Sequence, residues 1–115
     1  SEEHLQNKRA VLGAMNAIAE SGPATLESKL SAIYHPDAQW RGAHPWNEMN
    51  GVQAIRTAVW APLQHSFPDM ERRDQIVIGG EYEGRSYVGM VGHLAGTFRR
   101  SWNGIPATGQ VVYWR

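Results

Sequence analysis

The spacing of apolar residues divides the chain into a helical first half and an extended second half. Over positions 4–20, apolar residues recur every three or four positions, as in an amphipathic helix, and the segment SGP ends it. A second short helix is expected after Thr25, a residue type suited to the N-cap. A third helix begins at Gly51–Val52. Pro62 lacks a backbone N–H and is therefore expected to kink or restart this helix near Ala61.

Between the second and third helices, a short extended piece ends at Trp40, and the segment RGAHPWNEMNG is predicted to be a loop. From Met70 onward the apolar period changes to two, which predicts strands at about 72–79 and 85–100, joined by GGEYEG, and another from Gln110. Alternation in the long strand places one set of residues on one face (Tyr87, Val91, His93, Ala95 and Thr97) and a second set on the other (Val88, Met90, Leu94 and Phe98).

Helices followed by long antiparallel strands indicate an α+β fold, with three N-terminal helices against one face of a mostly antiparallel sheet. A chain of 115 residues suits a single domain, 1–115. Glycines inside the long strand predict bulges or bends. The bent sheet is therefore expected to curl around a cone-shaped pocket that the mid-chain loop rims.

Charge and composition narrow the classes of partner. Eleven basic and eleven acidic residues balance, and no dense basic cluster occurs, so nucleic acid is not an expected partner. The absence of cysteine excludes disulfides, thiolate nucleophiles and cysteine-ligated zinc. No apolar segment approaches the roughly 20 residues of a membrane span, so no membrane partner is expected and a cytoplasmic location is the default prediction.

Large aromatic side chains are abundant, with five tryptophans and four tyrosines. Together with the histidines they predict a pocket lined by rings that binds a hydrophobic or aromatic small molecule. The candidate ligand-binding residues are Trp40, His44, Trp46, Trp60, Tyr87 and Trp102. The alternative interpretation is that tryptophans fill the core, and Trp60 in particular suits a helix-to-sheet contact.

The reactive residue types leave general acid–base chemistry as the enzymatic option. The five histidines form neither an i, i+4 pair nor a His-x-His pair, so no metal site is predicted unless distant histidines converge. No serine-nucleophile or phosphate-binding motif occurs, and no cofactor is expected. His93, in mid-strand, is the catalytic candidate; its alternative role is to support the sheet. Asp37 is either a second titrating group or an ordinary turn residue.

Five segments together resemble the SnoaL-like polyketide cyclases of the NTF2-like superfamily over about residues 26–115: YHPDAQW, HPWNEMNGVQAI, VWAPLQHSFPDMERRD, GHLAGTF and WNGIPATGQVVYWR. The most specific parts are the Gly-x-x-x-Ile helix start at Gly51–Ile55, the Phe67–Pro68–Asp69 helix exit, and Gly-Ile-Pro-x-Thr-Gly at 104–109. Ala107 stands where the family commonly has a second proline.

The resemblance implies an NTF2-like cone in which the strand from Gln110 continues and pairs with one more strand. About 25–30 further residues would be needed, an estimate from typical strand and hairpin lengths, so a truncated domain is expected. In these cyclases the acidic residue that moves the proton belongs to that region, and no position here is assigned to it. The resemblance also implies a homodimer through the outer sheet face, and an unpaired sheet edge favours association.

Three functions remain as hypotheses. The first is cofactor-free cyclisation, isomerisation or hydration of an aromatic or polyketide-like molecule, for which acid–base groups should converge on the cavity. The second is a non-catalytic module whose cavity holds only rings and aliphatic side chains. The third is a protein-interaction domain, which a broad apolar outer sheet face would favour.

Overall fold

The computed structural model describes all residues from Ser1 to Arg115 and contains helices in the first half and a long antiparallel hairpin in the second. The elements in chain order are α1 (Glu2–Glu20), α2 (Leu26–Ile33), β1 (Gln39–Arg41), β2 (Glu48–Asn50), α3 (Val52–Ile55), a π-helical turn (Arg56–Trp60), α4 (Ala61–Ser66), β3 (Glu71–Tyr82), β4 (Arg85–Thr97) and β5 (Val111–Trp114). None of the helices has the length and apolarity of a membrane span.

Helix α1 lies over the long hairpin. Its N-cap is Ser1, whose hydroxyl oxygen accepts a hydrogen bond from the backbone N–H of His4 at 3.2 Å. The helix approaches β3 closely at Gly79, where an added Cβ would lie 2.8 Å from the His4 carbonyl oxygen. The short distance between α1 and β3 at this point therefore requires glycine at position 79.

Helix α2 begins after Thr25, as predicted, but the threonine does not cap it. The Thr25 hydroxyl accepts from the backbone N–H of Gly22 at 3.2 Å, and no helix N–H reaches it. Thr25 therefore stabilises the turn between the helices. Leu26 and Leu30 are buried and attach α2 to the core.

The third helical region is in three parts, and the predicted restart near Ala61 is confirmed. Ala61 donates its backbone N–H to the carbonyl of Arg56, five residues earlier, which is the bond of a π-helix. Pro62 then occupies the first turn of α4, where a missing N–H is tolerated. Pro62 thus coincides with the end of the π-helical turn and the start of α4.

The strands form two separate antiparallel sheets, β1–β2 and β3–β4–β5. The prediction of a loop over 41–51 was wrong for β2, which pairs with β1 through Trp40↔Met49. The predicted turn GGEYEG is also shorter than expected. Gly79 and Gly80 pair with β4 and belong to β3, and the turn consists of Glu83 and Gly84, both with positive φ.

A bulge lies in β3 between Asp74 and Ile76, opposite Gly92 of β4. A Cβ at Gly92 would overlap the carbonyl oxygen of Arg73, so this position requires glycine. The extra residue in β3 lets both halves of the strand keep a face toward the helices. Arg72 and Asp74 share that inner face with Val77.

The hydrophobic core lies at one end of the long hairpin, around the start of β3 and the end of β4. Its ten buried apolar residues are Ile18, Leu26, Leu30, Ile55, Val59, Trp60, Leu63, Phe67, Met70 and Phe98. The ring centroid of Phe67 lies 5.0 Å from that of Phe98 and 4.6 Å from that of Trp114, so aromatic contacts join α4 to the sheet.

Candidate functional site

Three of the predicted ligand-binding tryptophans come together from distant parts of the chain. Trp46, in the β1–β2 loop, has its ring centroid 6.3 Å from that of Trp40 and 5.8 Å from that of Trp102. Trp40 lies on β1 and Trp102 lies in the connection between β4 and β5. All three are half-buried against the core. They form what we call the tryptophan cluster.

The helix restart determines where Trp46 lies. Its indole N–H donates to the carbonyl oxygen of Ala58 at 2.9 Å. In an uninterrupted α-helix, residue 62 would donate to that carbonyl, but Pro62 has no N–H. The proline therefore leaves an acceptor in the third helical region, and this acceptor anchors the tryptophan cluster.

Trp40 and Trp102 contribute buried indole N–H groups that have no acceptor. The ring of Trp40 folds over Gly42, where an added Cβ would lie 2.5 Å from its indole nitrogen. A buried donor without a partner costs roughly 1–3 kcal/mol, so such groups are uncommon unless a function retains them. The cluster is therefore both aromatic and short of hydrogen-bond acceptors.

An ion pair lies on the inner face of the sheet. Arg72 Nε is 3.1 Å from both carboxylate oxygens of Asp74, and the two side chains are 17% and 9% exposed. A hollow of about 140 Å³ opens beside them, with Met90, Leu94 and Trp114 among its lining residues. No hydrogen bond uses Arg72 Nη1, so the guanidinium keeps a free donor next to the carboxylate.

Tyr34 and Trp60 extend this polar group into the interior. Burial raises the pKa of the Tyr34 hydroxyl above its usual value, and the Trp60 indole and Arg72 guanidinium offset part of that rise. The phenol is therefore protonated at neutral pH. Trp60 is 5% exposed, and its own N–H has no hydrogen bond of good geometry. Trp60 belongs to the core, in agreement with its alternative interpretation.

Tyr87 lies apart from these groups, on the outer face of the sheet, and His93 lies on the same face but also lines the hollow beside the Arg72–Asp74 pair. The prediction that His93 is opposite Leu94 and Phe98 is confirmed, and since the latter two face the core, His93 faces away from it. Its ring contacts Tyr113, at 5.8 Å between centroids. The structure therefore does not bring His93 or Tyr87 to the tryptophan cluster. A catalytic role for His93 stays a prediction.

The remaining candidates are on the surface. His44 is exposed in the β1–β2 loop, and Asp37 is an exposed turn residue whose backbone N–H donates to His35 Nδ1 at 3.0 Å. That contact agrees with the turn interpretation of Asp37. No three histidine, aspartate or glutamate side chains come together in a way that could hold a metal ion.

Sequence reasoning missed Tyr34, Arg72 and Asp74. The sequence pattern did indicate that Arg72 and Asp74 are neighbours, because the period of two from Met70 onward puts positions 72 and 74 on one face of a strand. Charged residues in a strand normally indicate a solvent-facing side, and the segment ERRD has four of them in succession. The burial of the pair depends on the helices that cover it.

Comparison with known proteins concerns the fold. No protein-family profile and no curated protein sequence matches the chain. A crystal structure of a protein from Jannaschia sp. CCS1, provisionally described as a SnoaL-like polyketide cyclase, superposes with a TM-score of 0.66 at 18% identity, over 92% of this chain and 72% of that one. The chain has the SnoaL-like fold. The α+β, NTF2-like class predicted from the sequence is thereby confirmed. In this SnoaL-like fold, the Arg72–Asp74 pair occupies the inner face of the sheet.

Proposed function

We propose that the protein binds an aromatic or polyketide-like small molecule on the inner face of the sheet and acts on it by cofactor-free acid–base catalysis. The observation that carries the proposal is the nearly buried Arg72–Asp74 pair beside a hollow. The likeness to a protein described as a SnoaL-like polyketide cyclase supports it. A cavity of ~150 Å³ holds a benzene ring, so a hollow of about 140 Å³ accommodates one ring of such a substrate.

The proposed chemistry uses the carboxylate as a base and the cation as an electrostatic partner. Asp74 takes a proton from a carbon next to a carbonyl group, and negative charge then develops on the carbonyl oxygen. The free Nη1 donor of Arg72 stabilises that oxygen. The partial exclusion of water from this site strengthens both interactions.

The tryptophan cluster is assigned the binding of a second part of the ligand. Its rings are of the type that packs against aromatic molecules.

The proposal is tested by measuring ligand binding and proton transfer separately. Hydroxylated anthraquinones and aromatic ketones are titrated with tryptophan fluorescence as the readout, and exchange of the proton next to the carbonyl is followed in deuterium oxide by NMR. Asp74→Asn should keep saturable quenching but lose at least about a hundredfold in exchange rate, the usual contribution of a general base. Asp37→Asn, a change of the same chemistry at an exposed turn, is the matched control and should behave as wild type.

His93→Ala completes this experiment, because it tests the residue selected from the sequence. Exchange that survives in His93→Ala and disappears in Asp74→Asn supports the inner-face site. The opposite pattern would make His93, which also lines the hollow, the base in place of Asp74, and the absence of quenching by every ligand would refute the pocket itself.

We also propose that the outer face of the sheet forms a homodimer. The observation that favours it is a set of large apolar side chains, each at least half exposed: Ile76, Ile78, Tyr82, Tyr87, Val91, Val111 and Tyr113. So many apolar groups on one sheet face are typical of an interaction surface. Association through this face is compatible with an inner-face pocket.

A further inference from the structure

A second cavity, of about 680 Å³, lies between the end of α1, the start of α2 and the third helical region. It shares no lining residue with the hollow at the Arg72–Asp74 pair. Its apolar lining includes Leu26, Phe67 and Met70. We call it the helix groove. Its volume falls within the roughly 300–1,000 Å³ of small-molecule sites.

The helix groove carries uncompensated positive charge. Arg56 and Arg100 line it together with His65, and no aspartate or glutamate does. The structure contains two ion pairs, and neither involves Arg56 or Arg100. Arg56 Nε donates to Gln53 Oε1 at 3.0 Å and Arg100 Nη1 donates to the His65 carbonyl at 2.8 Å. These bonds orient both guanidinium groups and leave further N–H donors on each.

A buried acceptor without a partner lies in the same lining. Gln64 is 8% exposed, and its Nε2 donates to the carbonyls of Ile18 and Ser21 and to the Ser21 hydroxyl, at 3.2, 2.9 and 2.8 Å. Two carbonyl acceptors fix which end of the amide is nitrogen. Gln64 Oε1 accepts no hydrogen bond. Buried acceptors without a hydrogen bond are uncommon, and a ligand that carries an N–H or O–H group would give Gln64 Oε1 a donor.

We propose that the helix groove is a second binding site, for a small molecule with an apolar body, one carboxylate and a neighbouring N–H or O–H donor. The carboxylate lies against Arg56 and Arg100, since guanidinium groups match carboxylate geometry. The apolar body covers Leu26, Phe67 and Met70, and the donor serves Gln64 Oε1. This site is independent of the acid–base function proposed for the inner face.

The experiment uses the whole chain, labelled with ¹⁵N, and two probes that differ only in charge. N-decanoylglycine carries the carboxylate, the amide N–H and the apolar chain, and N-decanoylglycinamide lacks the carboxylate. N-decanoylglycine should bind saturably, with amide shift changes concentrated at Ser21, Gly22, His65 and Arg100. The neutral probe should bind about tenfold more weakly, as expected from the loss of a charge-assisted contact. Equal binding of both probes, or shift changes centred on Asp74 and Leu94, would overturn the proposal.

Charge variants locate the carboxylate. Arg100→Gln and Arg56→Gln should each weaken N-decanoylglycine about fivefold to tenfold while leaving the neutral probe unchanged. Arg85→Gln removes the same charge at the opposite end of β4 and should bind as wild type. Thermal melts verify that each variant is folded. Wild-type affinity in both groove variants would overturn the assignment.

Discussion

Single side chains in this protein hold separate elements together through a few short hydrogen bonds. Asp69, in the turn after α4, accepts from the Thr97 backbone N–H at 2.7 Å and from the Thr97 hydroxyl at 2.6 Å. The turn is thereby attached to the end of β4. These two bonds from Thr97 are the main cause that lowers the pKa of the Asp69 carboxyl below its ordinary value.

The Asp69–Thr97 contact predicts a pH dependence of stability. A carboxyl with a lowered folded-state pKa stabilises the protein above its unfolded-state pKa of about 4, and this stabilisation is lost as the pH falls through the folded-state pKa. Thr97→Val removes the hydroxyl bond and should make the free energy of unfolding less dependent on pH below about 4. Urea unfolding between pH 2.5 and 7 measures this. An identical pH dependence in wild type and Thr97→Val would show that the contact does not control the titration.

Chemistry-bearing residues were the least predictable part of the site. The tryptophans could be identified because large rings stand out by type, and three of the five do converge. Asp74 and Arg72 could not, because a charged residue is assigned to the surface unless its partner and its cover are known. Each residue of the ion pair is only two positions from the other, but the helices that bury the pair come much earlier in the chain.

At the scale of elements, the period of the apolar residues was sufficient for the helices and for the two faces of β4. The apolar period was not sufficient at glycines, because a glycine can belong either to a turn or to the interior of a strand. Gly79 and Gly80 were interpreted as part of a turn, but they extend β3, and at Gly79 the missing side chain serves the approach of α1. The hairpin β1–β2 was missed because three-residue strands are too short to show alternation.

The helix restart gives a prediction about two elements at once. Trp46→Phe should destabilise the protein by about 1 kcal/mol, because the Ala58 carbonyl loses its donor. In a Pro62→Ala background, residue 62 regains an N–H that can serve that carbonyl, and Trp46→Phe should then cost less. A double-mutant cycle by urea unfolding measures the coupling. Equal costs in both backgrounds would mean that the carbonyl is satisfied without either residue.

At the scale of the whole molecule, the proposed homodimer has a direct test. Light scattering at tens of micromolar should give a mass of two chains, against 12.8 kDa for one. Ile78→Lys places a charge on the outer sheet face, where Ile78 is 63% exposed, and should yield the monomer. Ile105→Lys is the matched control, since Ile105 is 51% exposed but lies in the β4–β5 connection. A wild-type monomer, or loss of the dimer in both variants, would contradict the proposed interface.

The off-centre core has a consequence for how the molecule opens. The chain is 45 Å long and 28 Å wide, yet every one of its ten buried apolar residues belongs to the half around Phe67 and Phe98. The tip of the β3–β4 hairpin and the first half of α1 contribute none. Amide hydrogens at the tip should therefore exchange by local fraying, whereas those beside Phe98 should wait for global unfolding. Because Trp46 and Trp102 pack against the protected end, their ring contacts can outlast the loss of the hairpin tip, and sequence inserted at that tip should leave them intact.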